Sequence, residues 1–117
     1  MTDHAQQLRD LSGPTRELRQ HIPDAWAGFV QLAQHAVADG AIPARIKEAF
    51  AVAIAVVDGC EPCIAHHAKA AVRQGTTDEE MAEALAVAML MSGGPGSTTA
   101  PKAWAAFKEF QGADEAS

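Results

Sequence analysis

The chain has 117 residues, 48% of them hydrophobic, with nine Lys and Arg against fifteen Asp and Glu for a formal net charge of -6. That length and composition suit one folded domain over residues 1–117 and exclude a disordered chain, while the acidic balance is the wrong sign for gripping a nucleic-acid backbone. Alanine dominates the apolar set, Tyr is absent and Phe and Trp are few, which favours closely packed helices over a sandwich of strands.

Met1 to Gln7 has neither a basic start nor an apolar segment, so no secretory leader is expected and the cytoplasm is the default location. Thr2 or Asp3 can cap a first helix carrying Leu8 and Leu11, which Ser12-Gly13-Pro14 should interrupt before a further turn through Leu18. Residues 1–22 therefore read as a peripheral helical segment, outside a core of about 23–110. Pro23 opens a second helix in which Trp26, Phe29, Val30, Ala33 and Val37 recur at helical spacing, as core residues do, up to Asp39-Gly40.

Pro43 starts a third helix, with Ile46, Phe50, Ile54 and Val57 on one stripe and Ala49, Val52, Ala53 and Val56 on its other faces. The fully apolar run from Ala49 to Val57 is too short to cross a bilayer, so no membrane span is expected. A helix that is apolar all round has to be buried, and a second subunit would help to cover it, so a homo-oligomer is expected. Asp58-Gly59 ends this helix, Pro62 suits the first turn of the next, and Gly75 closes that one. Thr77 with Glu80 has the pattern of a capping box ahead of Met81, Leu85, Ala88 and Met89. Met81, Met89 and Met91 read as core or interface packing rather than a cofactor box. The glycine-rich Gly93 to Ser97 lacks the lysine ending of a phosphate loop and reads as a connector. A last helix is expected from near Pro101 through Trp104, Phe107 and Phe110, with 111–117 as a flexible tail. The fold class is thus all-α, a compact bundle of about five or six helices.

The two cysteines carry the chemistry. Cys60-Glu61-Pro62-Cys63 is a C-x-x-C element at the start of a central helix, and thiols at that spacing can close a reversible disulfide. Free N–H groups and the dipole at a helix N-terminus favour the thiolate, which is the attacking form, and Cys63 stands where it gains from them. His67 follows Cys63 by four residues, one turn on. It shares its side of the helix with Ile64, Ala68 and Ala71, whereas His66 shares an outward face with Lys69 and Arg73. Glu48 is the only carboxylate between Ile46 and Val57. If the chain reverses near Gly59, Glu48 lies roughly 15 Å back along one helix and His67 roughly 12 Å along the other, nearly level. Carboxylate, imidazole and thiol then form a cluster able to relay a proton. His4, His21, His35 and His66 have no such company and read as surface residues.

Glu48, eleven intervening residues, the Cys60 to Cys63 pair, three more residues and His67 together resemble the alkyl hydroperoxidase D-like family, which shares an all-helical fold with the carboxymuconolactone decarboxylases. The likeness runs from about Pro23 to Met91. It implies thiol-dependent peroxide reduction, with Cys63 similar to the cysteine that becomes a sulfenic acid, Cys60 similar to its disulfide-forming partner, and Glu48 and His67 similar to the proton relay. It also implies an external dithiol as reductant, thioredoxin-like or lipoyl-type, an oligomer, and no cofactor. Pro62 departs from the pattern, standing where the best-characterised type has a second histidine. The decarboxylase branch generally lacks the paired cysteines, which argues against lactone decarboxylation here.

Other readings of the same residues are a disulfide reductase or electron carrier using these thiols, and a non-catalytic oligomeric protein with inert, buried cysteines. A structural zinc site is disfavoured, because it wants four ligands and no third cysteine exists.

Overall fold

The computed structural model describes residues 3–116, which form six helices and no strand. They are α1 (His4–His21), α2 (Pro23–Val37), α3 (Ala44–Asp58), α4 (Glu61–Gln74), α5 (Asp78–Ser92) and α6 (Gly94–Ala116). Helices α3 to α6 pack on one another, α1 lies mainly against α4, and α2 touches only α1 and α3. The core explains the alanine-rich composition. Val52, Ile64, Met81 and Phe107 are its large buried side chains, and Ala49, Ala65, Ala68, Ala71, Ala103 and Ala106 let the helix backbones close around them.

The α3–α4 hairpin positions the chemistry. Gly59 ends α3 with φ 72, a left-handed conformation open to glycine at little cost. The Cys60 N–H bonds the Ala55 carbonyl at 3.1 Å and the Gly59 N–H bonds that of Val56 at 3.2 Å, the paired bonds of a Schellman ending. The chain thus turns back at once, and Cys60 becomes the N-cap of α4.

The far end of the hairpin is tied as well. Thr77 and Glu80 form the expected capping box, with bonds of 3.1 and 3.0 Å. Glu80 also pairs with Arg45 in the first turn of α3 at 3.0 Å, and the Thr76 hydroxyl donates to the Arg45 carbonyl at 2.7 Å. The Asp39 carboxylate accepts from the Ala44 N–H at 2.6 Å, so a residue that reads as the end of α2 caps the start of α3.

Several expectations are corrected. Helix α1 runs unbroken through Ser12-Gly13-Pro14. Pro14 forfeits the bond to the Asp10 carbonyl, but both residues are exposed, so water can satisfy that oxygen, and Leu11 and Thr15 on either side of it line one groove with α4. Asp3 caps α1 by accepting from the Gln6 N–H at 3.0 Å; Thr2 lies outside the described residues.

The presumed core of α2 is not core in this chain. No α2 residue is buried, and Phe29 is 63% and Leu32 64% exposed. The glycine-rich segment is no connector either, because α6 starts at Gly94 and continues past Pro101. A Cβ on Gly96 would collide with the Ser92 side chain and press on the Met89 backbone, so Gly96 lets α6 start tight against the end of α5. Residues 111–116, expected as a tail, are helical and continue α6. His4 is no surface residue but is buried, with its Nδ1 unpartnered. Its backbone N–H and that of Ala5 donate to the Glu109 carboxylate from α6.

Candidate active site

Cys60 and Cys63 are joined as a disulfide across the first turn of α4, with Cα atoms 5.3 Å apart. The Cys60 Sγ accepts from the Cys63 N–H at 3.3 Å. A sulfur therefore takes the place of the usual oxygen cap on one of the orphan N–H groups at this helix end. Pro62 costs nothing at such a position, since its missing N–H would have had no helical partner.

Glu48 projects from the second turn of α3 and His67 from the second turn of α4, and they meet. His67 Nδ1 and Glu48 Oε1 are 2.9 Å apart, with Glu48 5% exposed at its side chain and His67 30%. A carboxylate can only accept, so Nδ1 carries the proton. The imidazole keeps Nε2 for other work, as an acceptor when neutral and a donor when protonated.

His67 and Cys63 line the same cleft of about 280 Å³ beside Ile54, Asp58 and Cys60. Of the four residues singled out from sequence, Cys60, Cys63 and His67 line this cleft, and Glu48, further back along α3, is joined to them through His67. His66 lies outward as expected, its ring edge-on to that of His67 with centroids 4.9 Å apart. Desolvation, and then the neighbouring His67, hold His66 below the ordinary histidine range against an upward pull from Glu48, with lesser downward contributions from Lys69 and Arg73.

Among the described residues no three His, Cys, Asp or Glu side chains gather as metal ligands would. No helix among them is long and apolar enough to cross a membrane. Sequence periodicity does not disclose the other side of Cys63, where α1 and α2 stand opposite α4 and form a second groove. The His66, Lys69 and Arg73 face of α4 reads as solvated, and only the placement of α1 and α2 reveals that it is a wall.

The model of the carboxymuconolactone decarboxylase family matches residues 23–109. The chain belongs to that family. The match begins at the start of α2 and reaches far into α6, spanning the whole hairpin. Relatives of this carboxymuconolactone decarboxylase family chain include an uncharacterised protein of Cupriavidus necator, 40% identical over 106 residues that cover 91% of this chain and 94% of the relative. The uncharacterised protein 4 in the cox locus of Paracoccus denitrificans is 41% identical over 101 residues, covering 86% and 88%. The crystal structure of an apo carboxymuconolactone decarboxylase family protein from Legionella pneumophila superposes with a TM-score of 0.88 at 36% identity, covering 92% of this chain and 96% of that one.

Proposed function

We propose that this chain is a thiol-dependent peroxidase that reduces organic hydroperoxides with Cys63 as nucleophile and Cys60 as resolving thiol. The observation that carries the reading is the buried Glu48 held 2.9 Å from His67, whose ring lines the same cleft as the Cys60 to Cys63 pair. In the dithiol form, His67 takes the Cys63 proton at Nε2 while Glu48 steadies the resulting imidazolium. The Cys63 thiolate attacks the outer peroxide oxygen; the S–O bond forms, the O–O bond breaks, and the departing alkoxide takes the proton back from His67. Cys60 then attacks the sulfenic sulfur, forming the disulfide and releasing water. An external dithiol, thioredoxin-like or lipoyl-type, restores the pair by exchange. Such a cycle suits a reducing compartment such as the cytoplasm.

Decarboxylation, the reaction in the family's name, uses no thiol pair and leaves Cys60 and Cys63 without a role. A second reading, thiol–disulfide exchange with a partner protein, is favoured by Pro62, because exchange needs no second histidine at that position.

The test is a stopped-flow oxidation of the dithiol-reduced protein by an organic hydroperoxide, followed by mass spectrometry. A Cys60 to Cys63 disulfide should appear within the transient, and Cys63→Ser should abolish thiol-dependent turnover. Turnover retained by Cys63→Ser would sink the mechanism, and faster oxidation by a protein disulfide than by any peroxide would favour the exchange reading.

A further inference from the structure

Helices α1, α2 and α4 enclose a groove of about 650 Å³ that reaches Cys63 and His67 but not Cys60. Its two walls differ in kind. Leu8 and Leu11 of α1 with Trp26 and Phe29 of α2 make an apolar wall, and His66, Lys69 and Arg73 of α4 stand along the other. No Asp or Glu lines the groove, although the chain as a whole carries a formal charge of -6. Asp114 shares a cleft with both Lys69 and Arg73, but it is a separate one on the α6 side. Because His66 is held below its ordinary range by desolvation, the positive charge of the wall at neutral pH belongs to Lys69 and Arg73.

An apolar trough with cations along one side and a redox cysteine at one end is complementary to an amphipathic anion. Distance narrows the class. Lys69 and Arg73 lie six and ten residues beyond Cys63 on α4, roughly 9 and 15 Å along the axis. An extended carbon chain advances roughly 1.2 Å per bond, so a carboxylate at these cations sits about seven to twelve bonds from an atom at Cys63.

We propose that the groove binds a free fatty-acid hydroperoxide oxidised in mid-chain, its carboxylate at Lys69 and Arg73, its alkyl chain along Leu8, Leu11, Trp26 and Phe29, and its peroxide at Cys63. The proposal rests on the peroxidase reading for its chemistry but not for its binding site. In the step itself the outer peroxide oxygen passes to the Cys63 sulfur, and the remaining alkoxide, protonated by His67, leaves as the hydroxy fatty acid.

The test separates binding from reaction by using dodecanoate and dodecanol, which carry no peroxide, and following Trp26 emission with Trp26→Phe as the blank. Dodecanoate should saturate the signal. Lys69→Gln and Arg73→Gln should each weaken it about fivefold, as loss of one exposed ion pair does, while dodecanol affinity holds. Equal weakening of both probes, no loss with dodecanoate, or no response of Trp26 to it would overturn the proposal. Emission that shifts only with protein concentration would do so too, by assigning the groove to a second copy. In a parallel arm, a mid-chain fatty-acid hydroperoxide should oxidise the reduced protein faster than its methyl ester does. Equal rates would overturn the substrate assignment. Dodecanoate binding without oxidation by any peroxide would overturn the peroxidase reading and this substrate with it, while leaving the site as a fatty-acid site.

Discussion

Glu48 is a carboxylate with 4% of its surface exposed, and a charge so placed is stable only with a partner that repays its lost hydration. His67 is that partner, and the pair explains why one acidic residue interrupts an otherwise apolar helix. Glu48→Gln keeps the shape and removes the charge, so it should slow peroxide oxidation of the thiols by roughly a hundredfold, the scale of a lost acid–base contribution. It should also change the pH–rate profile while leaving far-UV circular dichroism intact; an unchanged rate would remove Glu48 from the relay. His66 sets a pH dependence of stability. Its folded-state affinity for a proton is lowered, chiefly by desolvation, so below about 6.5 the unfolded chain binds the extra proton more readily than the folded one. Stability should therefore fall as pH drops through that value, and urea melts of His66→Gln between pH 5 and 8 should show a flatter dependence than the parent. The thiol pair and His67 are readable from spacing, whereas Glu48 is singled out only when its isolation among apolar residues is joined to a chain reversal at Gly59 and to the family resemblance. His4 is not, because a polar residue in the first turn of a helix has no periodic context; it is buried where Glu109 of α6 holds the start of α1.

Among the elements, the endings that obey local chemistry are readable and those that defy it are not. Thr77 with Glu80, and Gly59 after Asp58, act as their residue types dictate. Pro14 and Pro101 sit inside helices, where the general rule puts a break, because long-range packing outweighs a local loss whose orphaned carbonyl water can reach. Gly96 reads as loop glycine, but its missing side chain serves the close approach of α6 to Ser92 and Met89. Thr77→Ala should cost about 1 kcal/mol in urea unfolding. Because Glu80 also holds Arg45 on α3, a smaller loss would mean that the interhelix pair, not the cap, fixes this end of the hairpin. Gly96→Ala should be worse, about 1–3 kcal/mol, since backbone as well as a side chain must move.

For the molecule as a whole, the exposed surface is 7309 Å², against about 6100 Å² for a compact monomer of this mass. The surplus, roughly 1200 Å², is of the order of an interface. Leu32 of α2, Phe50 and Ile54 of α3, and Leu90 and Met91 of α5 contribute to it, at 47 to 79% exposure. Helical periodicity says that such faces are to be covered without saying by what, which is why α2 reads as core and yet lies open in one chain. We propose that copies of the chain cover one another there. Ile54→Asp should lower the sedimentation coefficient of the protein towards that of the monomer, and a parent protein already monomeric at micromolar concentration would contradict this.

The proposed function stands on the Cys60 to Cys63 pair being a working redox site rather than two small residues packed at a helix start. It is tested most directly by the pH dependence of Cys63 alkylation in the dithiol-reduced protein. The rate should reach half its plateau below about 8.5, the ionisation range of an ordinary thiol, and Glu48→Gln should move that midpoint upward. A midpoint at or above that value, insensitive to Glu48, would contradict it.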